Sequence, residues 1–99
     1  MDKGRPIKTR RVLGEPRTSQ FSPRGRVGRP GHKDLKVEEF EAIRLIDYAG
    51  MDQKQAAKVM KISQQTFSRV LKSARKGLAE AMVKGDIIRI KGGNFKLEA

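Results

Sequence analysis

The sequence contains no cysteine, a single histidine, His32, and only five aromatic residues. Without cysteine the chain forms no disulfide, and one histidine cannot complete a Cys/His zinc site. A thiol nucleophile and a histidine pair are both absent, and the acidic residues, expected at helix starts and exposed positions, form no constellation suited to acid–base catalysis. We therefore expect neither an enzyme nor a protein that holds a cofactor or a metal ion.

Long apolar runs are also absent. No segment approaches the roughly eighteen apolar residues that a membrane span needs, and no apolar signal segment follows the basic N-terminus. We expect one small domain of a soluble, cytoplasmic protein, with no membrane partner and no small-molecule ligand indicated by any motif.

Positive charge is what the chain has in excess, with a formal net charge of +12 over 99 residues. A surface this cationic attracts polyanions, above all nucleic acid, which implies a nucleoid-associated protein. Residues 1–33 carry a net charge of +8 and all four prolines, whereas residues 34–99 carry +4. The sequence predicts a basic, mostly irregular N-terminal arm over 1–33, because so few apolar residues cannot form a core.

Apolar spacing predicts three helices in residues 34–85. The first covers Val37–Ala49 and ends at Gly50, the second covers Gln53–Met60 after Asp52, and the third runs from Gln64 towards Lys84 before Gly85. Whether Gly77 breaks the third helix stays open. The expected inner face of that helix is Phe67, Val70, Leu71, Ala74, Leu78, Ala81 and Met82.

The last segment, 86–99, has the pattern of a β-hairpin. Ile87–Lys91 and Asn94–Leu97 flank Gly92-Gly93, which suits a two-residue turn and places Ile90 opposite Phe95 and Ile88 opposite Leu97. The fold class is therefore mainly α, a three-helix domain with a C-terminal hairpin and a basic arm. Because an isolated hairpin is marginal in water, its apolar side is expected on the helices or on a second subunit.

Residues 53–72, QKQAAKVMKISQQTFSRVLK, have the spacing of a helix-turn-helix. Small Ala57 lies where the helices approach, Lys61 occupies a turn position of positive φ, and Ser63 suits the cap of the next helix. Glutamine pairs with adenine, and arginine with guanine or phosphate. We expect base contacts from Gln64, Gln65, Thr66, Ser68 and Arg69, and phosphate contacts from Gln53, Lys54, Lys58, Ser63, Lys72, Arg75 and Lys76.

The tripeptide Gly-Arg-Pro occurs twice, at 4–6 and at 28–30. Proline keeps such a segment extended, glycine permits close approach, and arginine is attracted by a narrow minor groove. The predicted minor-groove contacts are Arg5, Arg10, Arg11, Arg26 and Arg29. A basic tail that contributes only counterion release explains the same composition.

The segment LKVEEFEAIRLIDYAGMDQKQAAKVMKISQQTFSRVLKSARKGLAEAM, with GRPIKTRRV before it and RIKGGNF after it, resembles a family of small uncharacterised prokaryotic proteins predicted to bind DNA. The helix-turn-helix of that family is similar to the fourth region of bacterial sigma factors. The resemblance implies DNA binding, in transcriptional regulation, without implying a target sequence. It does not imply sigma-factor activity, because nothing in this chain resembles the other sigma regions.

Two other function classes stay open at this point. The basic arm also suits an RNA-binding or ribosome-associated protein, although the few aromatic residues offer no evident stacking platform. Sigma-like fourth regions also contact RNA polymerase, so a polymerase-interacting module is the third class. For a DNA-binding protein we expect a homodimer, because one recognition helix reads too few base pairs, and the hairpin is the predicted contact.

Overall fold

A computed structural model of the chain describes residues 9–25 and 28–98. In this part of the chain there are three α-helices, one π-helical turn and five short strands. The strands are β1 (Arg10–Val12), β2 (Gln20–Phe21), β3 (His32–Leu35), β4 (Ile87–Ile90) and β5 (Phe95–Leu97), and the helices are α1 (Val37–Ile43), α2 (Gln53–Val59) and α3 (Gln64–Lys84), with the π turn at Arg44–Tyr48.

The positions of the three predicted helices are confirmed, and their ends have the expected chemistry. Asp52 accepts a hydrogen bond from the Gln55 N–H at 2.7 Å and so caps α2, while Ser63 accepts one from the Thr66 N–H at 3.0 Å and caps α3. Gly85 ends α3 in the left-handed conformation with φ 71°, and Gly50 has φ 80°.

The first helix changes its winding after Ile43. The Ala49 N–H donates to the Arg44 carbonyl at 2.8 Å, a five-residue span that defines a π-helical turn. A π turn holds more residues than an α turn, so it shifts which side chains face inward. Ala49, which directly follows this turn, is exposed.

Two adjoining clusters form the core. The first joins α1, α2 and α3 through residues that include Leu45, Ala56, Met60 and Phe67, all fully buried or nearly so. The second joins the strands to α1 and α3 through Val12, Leu35, Val37, Ala74 and Ile90. The strands therefore cover the helical unit and are not an appendage to it.

The predicted C-terminal hairpin is wrong, because β4 and β5 do not pair with each other. β4 is the centre of a three-stranded sheet of order β2-β4-β3, parallel to β3 and antiparallel to β2. β5 instead pairs in parallel with β1, with Arg10 opposite Phe95 and Val12 opposite Leu97. The dimer contact predicted through this hairpin loses its structural basis.

The glycine pair between β4 and β5 explains the difference. The Gly92 carbonyl accepts a hydrogen bond from the Val37 N–H at 3.1 Å, and the Asn94 N–H donates to both carboxylate oxygens of Glu38 at 3.0 and 3.2 Å. Both glycines have positive φ, 73° and 106°. The Gly92–Asn94 segment thus wraps the N-terminal end of α1 instead of reversing a hairpin.

The N-terminal segment also differs from a free arm. Its three strands find their partners in β4 and β5, and Val12 is completely buried. Its other described residues between the strands, 13–19, 22–25 and 28–31, form irregular loops. The apolar residues of the C-terminal strands supply the surface that this proline-rich segment lacks, which is why it packs on the domain.

The third helix runs unbroken through Gly77, which is buried. A Cβ atom at this position would lie 3.1 Å from the Lys33 Cε atom and 4.0 Å from the Leu35 Cδ1 atom, so the glycine lets β3 approach the helix closely. Met82 was expected on the inner face but is 73% exposed. It lies at the edge of the helix arc that faces the core. No helix in the described part of the chain has the length and apolar character required to cross a membrane.

Candidate nucleic-acid interface

The turn between α2 and α3 is fixed by backbone hydrogen bonds. The Lys61 N–H donates to the Lys58 carbonyl and the Ile62 N–H to the Ala57 carbonyl, both at 3.1 Å, which is the Schellman pattern for a helix end. Lys61 has φ 56°, as expected for the turn position. Ile62 is buried beside Ala57, so the pair of bonds and one apolar contact set the direction in which α3 leaves α2.

The first turns of α3 present a polar face to solvent. Phe67, Val70 and Leu71 point into the core. The predicted base-reading residues Gln64, Gln65, Ser68 and Arg69 are exposed. Thr66 is the exception, since it is half-buried and its hydroxyl accepts a hydrogen bond from the Ser63 hydroxyl at 2.9 Å. Thr66 therefore supports the cap more than it offers a contact.

The predicted phosphate-contacting residues lie on both helices around this face. Lys54, Lys58, Ser63, Lys72, Arg75 and Lys76 are exposed, and Gln53 is half-buried at the start of α2. Arg75 donates to Asp47 through Nε at 3.2 Å and Nη2 at 2.7 Å. These hydrogen bonds hold the pKa of Asp47 below its ordinary value. The ion pair fixes the guanidinium of Arg75 against the π turn.

Acidic side chains are absent from α2, the turn and α3 as far as residue 79. Residues 53–79 contain seven lysines and arginines and no aspartate or glutamate. The acids at its two ends are both engaged, since Asp52 caps α2 and Glu80 pairs with Lys33 at 3.1 Å. The positive charge of the exposed face is therefore not neutralised by residues of the same stretch.

Three glutamates of α1 are buried. Glu38 and Glu39 lie at the helix start, where acids were expected, but none of the three is exposed. Glu38, Glu39 and Glu41 are 5%, 8% and 1% exposed. A charged group is retained in a protein interior only where hydrogen bonds or ion pairs compensate its lost hydration. Each of these carboxylates has such partners, and each connects α1 to a different part of the chain.

Glu38 accepts from the Asn94 N–H of the C-terminal segment. Glu39 accepts from the Lys36 N–H at 2.9 Å and from the Ser73 hydroxyl of α3 at 2.6 Å. Glu41 accepts from the Leu13 N–H at 3.2 Å and from Arg44 at 2.7 and 3.0 Å, which raises the pKa of Arg44 through hydrogen bonding. Within residues 9–25 and 28–98, no group of three acidic or histidine side chains could hold a metal ion.

The predicted minor-groove arginines are divided between different environments. The Arg11 Nε donates to the Val59 carbonyl at 2.7 Å, and the Arg11 N–H donates to the Met60 carbonyl at 2.9 Å, so this residue braces the end of α2. Arg10 is half-buried in β1, whereas Arg29 is exposed. Arg5 and Arg26 lie outside the described residues.

Sequence reasoning missed the buried glutamates and the bracing role of Arg11. Two glutamates in the first turn of a helix interact favourably with the helix dipole, which explains their position without any distant hydrogen-bond partner. Two of the three buried glutamates accept from main-chain N–H groups more than 25 residues away, Glu38 from Asn94 and Glu41 from Leu13. No spacing rule in the sequence connects such groups.

Comparison with known proteins finds a family model and relatives that match most of this sequence. A family model described as "Protein of unknown function DUF134" matches residues 1–98. A UPF0251 protein of Caldicellulosiruptor bescii is 50% identical over 91 residues, which cover 92% of this chain and 64% of that protein. One of Methanothermobacter thermautotrophicus is also 50% identical over 91 residues, covering 92% and 48%.

A further UPF0251 protein, of Thermoanaerobacter pseudethanolicus, is 44% identical over 97 residues, covering 94% of this chain and 80% of the relative. The chain thus spans about half to two thirds of the length of the first two relatives. No solved structure gives a significant match to this chain.

Proposed function

The chain belongs to the family described as protein of unknown function DUF134, and we propose that α2 and α3 form a helix-turn-helix that binds double-stranded DNA. The proposed role is transcriptional regulation at the nucleoid. The observation that carries the proposal is the exposed polar face at the start of α3, which follows a rigid turn and is free of acidic residues. In a helix-turn-helix this is the part of the second helix that enters the major groove.

The side chains of that face are suited to recognising DNA bases as well as to attracting the phosphate backbone. Gln64 and Gln65 are exposed amides at the first turn, and an amide pairs bidentately with adenine. Arg69, one turn later, suits guanine or a phosphate. The N-terminal end of α3 adds its positive helix dipole, which favours a phosphate close to Ser63.

The distribution of charge supports a polyanionic partner. Three carboxylates of α1 are buried and hydrogen-bonded. Lys54, Lys58, Lys72 and Lys76 surround the proposed reading face without an ion-pair partner among the described residues. Contacts of this kind bind phosphates of any sequence and weaken steeply as the salt concentration rises, because the release of counterions from DNA then gains less free energy. We leave Arg10 and Arg11 out of the proposed interface, because β1 and the end of α2 use them.

The test begins with selection of bound fragments from random duplex DNA, followed by fluorescence anisotropy with the selected site and with a scrambled duplex. Arg69→Ala should weaken binding to the selected site by about 1–3 kcal/mol more than binding to the scrambled duplex. Lys91→Ala is the matched control, since Lys91 is also exposed and basic but follows β4. It should lower both affinities slightly and equally.

Failure of the selection to enrich any sequence, or equal losses on both duplexes for Arg69→Ala, contradicts sequence reading by α3. A structured RNA competitor at matched salt separates this function from RNA binding, and stronger competition by RNA than by the selected duplex argues against the proposal. A homodimer remains part of the proposal, since two helices would read two half-sites. Sedimentation with and without the selected duplex measures it.

A further inference from the structure

A groove of about 700 Å³ lies between the N-terminal segment and α1, and none of the residues that line it belongs to α2 or α3. Its lining includes three aromatic residues, Phe21 from the N-terminal segment and Phe40 and Tyr48 from α1 and the π turn, and Leu13 and Ile43 add aliphatic surface. Phe21 is 50% exposed and Tyr48 86% exposed, although both rings adjoin this cavity. The volume is in the range of small-molecule sites, which are mostly apolar with a few polar groups that orient the ligand.

The π turn forms one side of this groove. Arg44 and Tyr48, the first and last residues of the turn, both line it, and Ile43 immediately precedes them. Single π turns in otherwise α-helical segments are rare and occur often at functional sites. In this chain the π turn leaves the Tyr48 side chain exposed to solvent, and Tyr48 is not part of either core cluster of the described residues.

The charged groups of the groove decide which ligand fits. Arg44 is already paired with the buried Glu41, at 2.7 and 3.0 Å. Glu15 and Arg17 also line the groove, and neither forms an ion pair or hydrogen bond with the other or with any described residue. The groove therefore offers one free carboxylate and one free guanidinium together with three aromatic rings.

We propose that this groove binds a free aromatic α-amino acid. The ligand carboxylate pairs with Arg17, its ammonium pairs with Glu15, and its ring packs against Phe21, Phe40 and Tyr48. A purely apolar ligand leaves both charges without partners, and an apolar anion or cation places a like charge next to Glu15 or Arg17. The inference does not depend on DNA binding and concerns a separate surface.

The chain itself carries a reporter for the test. Tyr48 is the single tyrosine, and the sequence has no tryptophan, so fluorescence excited in the tyrosine band comes from the groove. The probe is L-phenylalanine, titrated into the full chain and checked by calorimetry for one site. Phenethylamine lacks the carboxylate and 3-phenylpropionate lacks the ammonium, so each should bind about tenfold or more weakly than L-phenylalanine.

Two variants assign the charges. Arg17→Gln should weaken the binding of L-phenylalanine about tenfold, so that this variant binds L-phenylalanine and phenethylamine with equal affinity. Glu15→Gln should likewise bind L-phenylalanine and 3-phenylpropionate with equal affinity. Arg24→Gln is the matched control, an exposed arginine outside the groove, and should leave the affinity unchanged. No saturable signal with L-phenylalanine by either method, equal affinity for all three compounds, or equal effects of Arg17→Gln and Arg24→Gln would overturn the proposal.

Discussion

Replacing Gly93 with alanine should destabilise the protein far more than the same change at the adjacent Gly92. Both glycines have positive φ, but a Cβ atom at Gly92 meets nothing within 4 Å, whereas one at Gly93 overlaps the Glu38 Oε1 atom. Backbone strain alone should cost about 1–2 kcal/mol at Gly92. At Gly93, with φ 106°, it should cost about 1–3 kcal/mol.

Displacement of Glu38 adds to that strain at Gly93 only. The Glu38 carboxylate accepts hydrogen bonds from the Asn94 N–H at 3.0 and 3.2 Å, and the residue is only 5% exposed. Loss of a hydrogen bond to a charged group costs about 1.5–3 kcal/mol. The expected loss for Gly93→Ala is therefore about 2.5–6 kcal/mol, a large fraction of the stability of a small domain. Urea unfolding followed by circular dichroism measures both variants.

A double-mutant cycle tests the cause. If overlap with the carboxylate is responsible, Gly93→Ala in a Glu38→Ala background should cost only the backbone strain, and the two changes should couple by about 1.5–3 kcal/mol. Equal losses for Gly92→Ala and Gly93→Ala, or strict additivity with Glu38→Ala, would refute the reasoning. Equal losses are also what a two-residue hairpin turn predicts, so the same experiment checks the corrected topology.

Three further predictions concern the turn, the long helix and pH. Lys61→Gly should raise stability by about 0.5–1 kcal/mol in thermal unfolding, because it removes a non-glycine φ of 56°; a loss would mean that the Lys61–Glu98 pair outweighs the strain. Gly77→Ala should change the free energy of unfolding by less than about 0.5 kcal/mol, because alanine's better helix propensity offsets displacement of the flexible Lys33 side chain. A loss above about 2 kcal/mol would show that the side chains of β3 cannot move to accommodate the added methyl group. Hydrogen bonds from basic partners lower the pKa of Asp47, Glu80 and Glu98. The modest contribution of these carboxylates to stability is therefore complete above about pH 5 and declines as the pH falls through 4 and below. A urea midpoint unchanged from pH 6 to pH 3 would contradict this.

The helices were predictable because their signals are local. Apolar spacing, the caps at Asp52 and Ser63, and the stop at Gly85 all lie within a few residues of what they determine. The turn at Lys61 and the exposed face starting at Gln64 follow from the same local rules. That part of the candidate interface could be derived from sequence, although its ability to bind DNA is a proposal.

The strand pairing was not predictable, because it depends on partners far apart in the chain. β4 has the composition of one strand of a hairpin, yet β3 and β2 pair with its two edges. Glu38 accepts a hydrogen bond from Asn94 and so holds the loop between β4 and β5 against α1. Register rules specify which side chains face inward, but they do not specify which strand is the neighbour. The π turn at Arg44–Tyr48 has no sequence signature of its own.

This topology also constrains the order in which the chain acquires its structure. β1, β2 and β3 gain their sheet partners only once β4 and β5, at residues 87–97, have been synthesised, so these three strands leave the ribosome with nothing to pair with. The contacts among the three helices need no such wait, since all of them lie within residues 37–84. Closure of distant segments slows folding, and we expect a fast helical phase followed by a slower one in which both ends dock together.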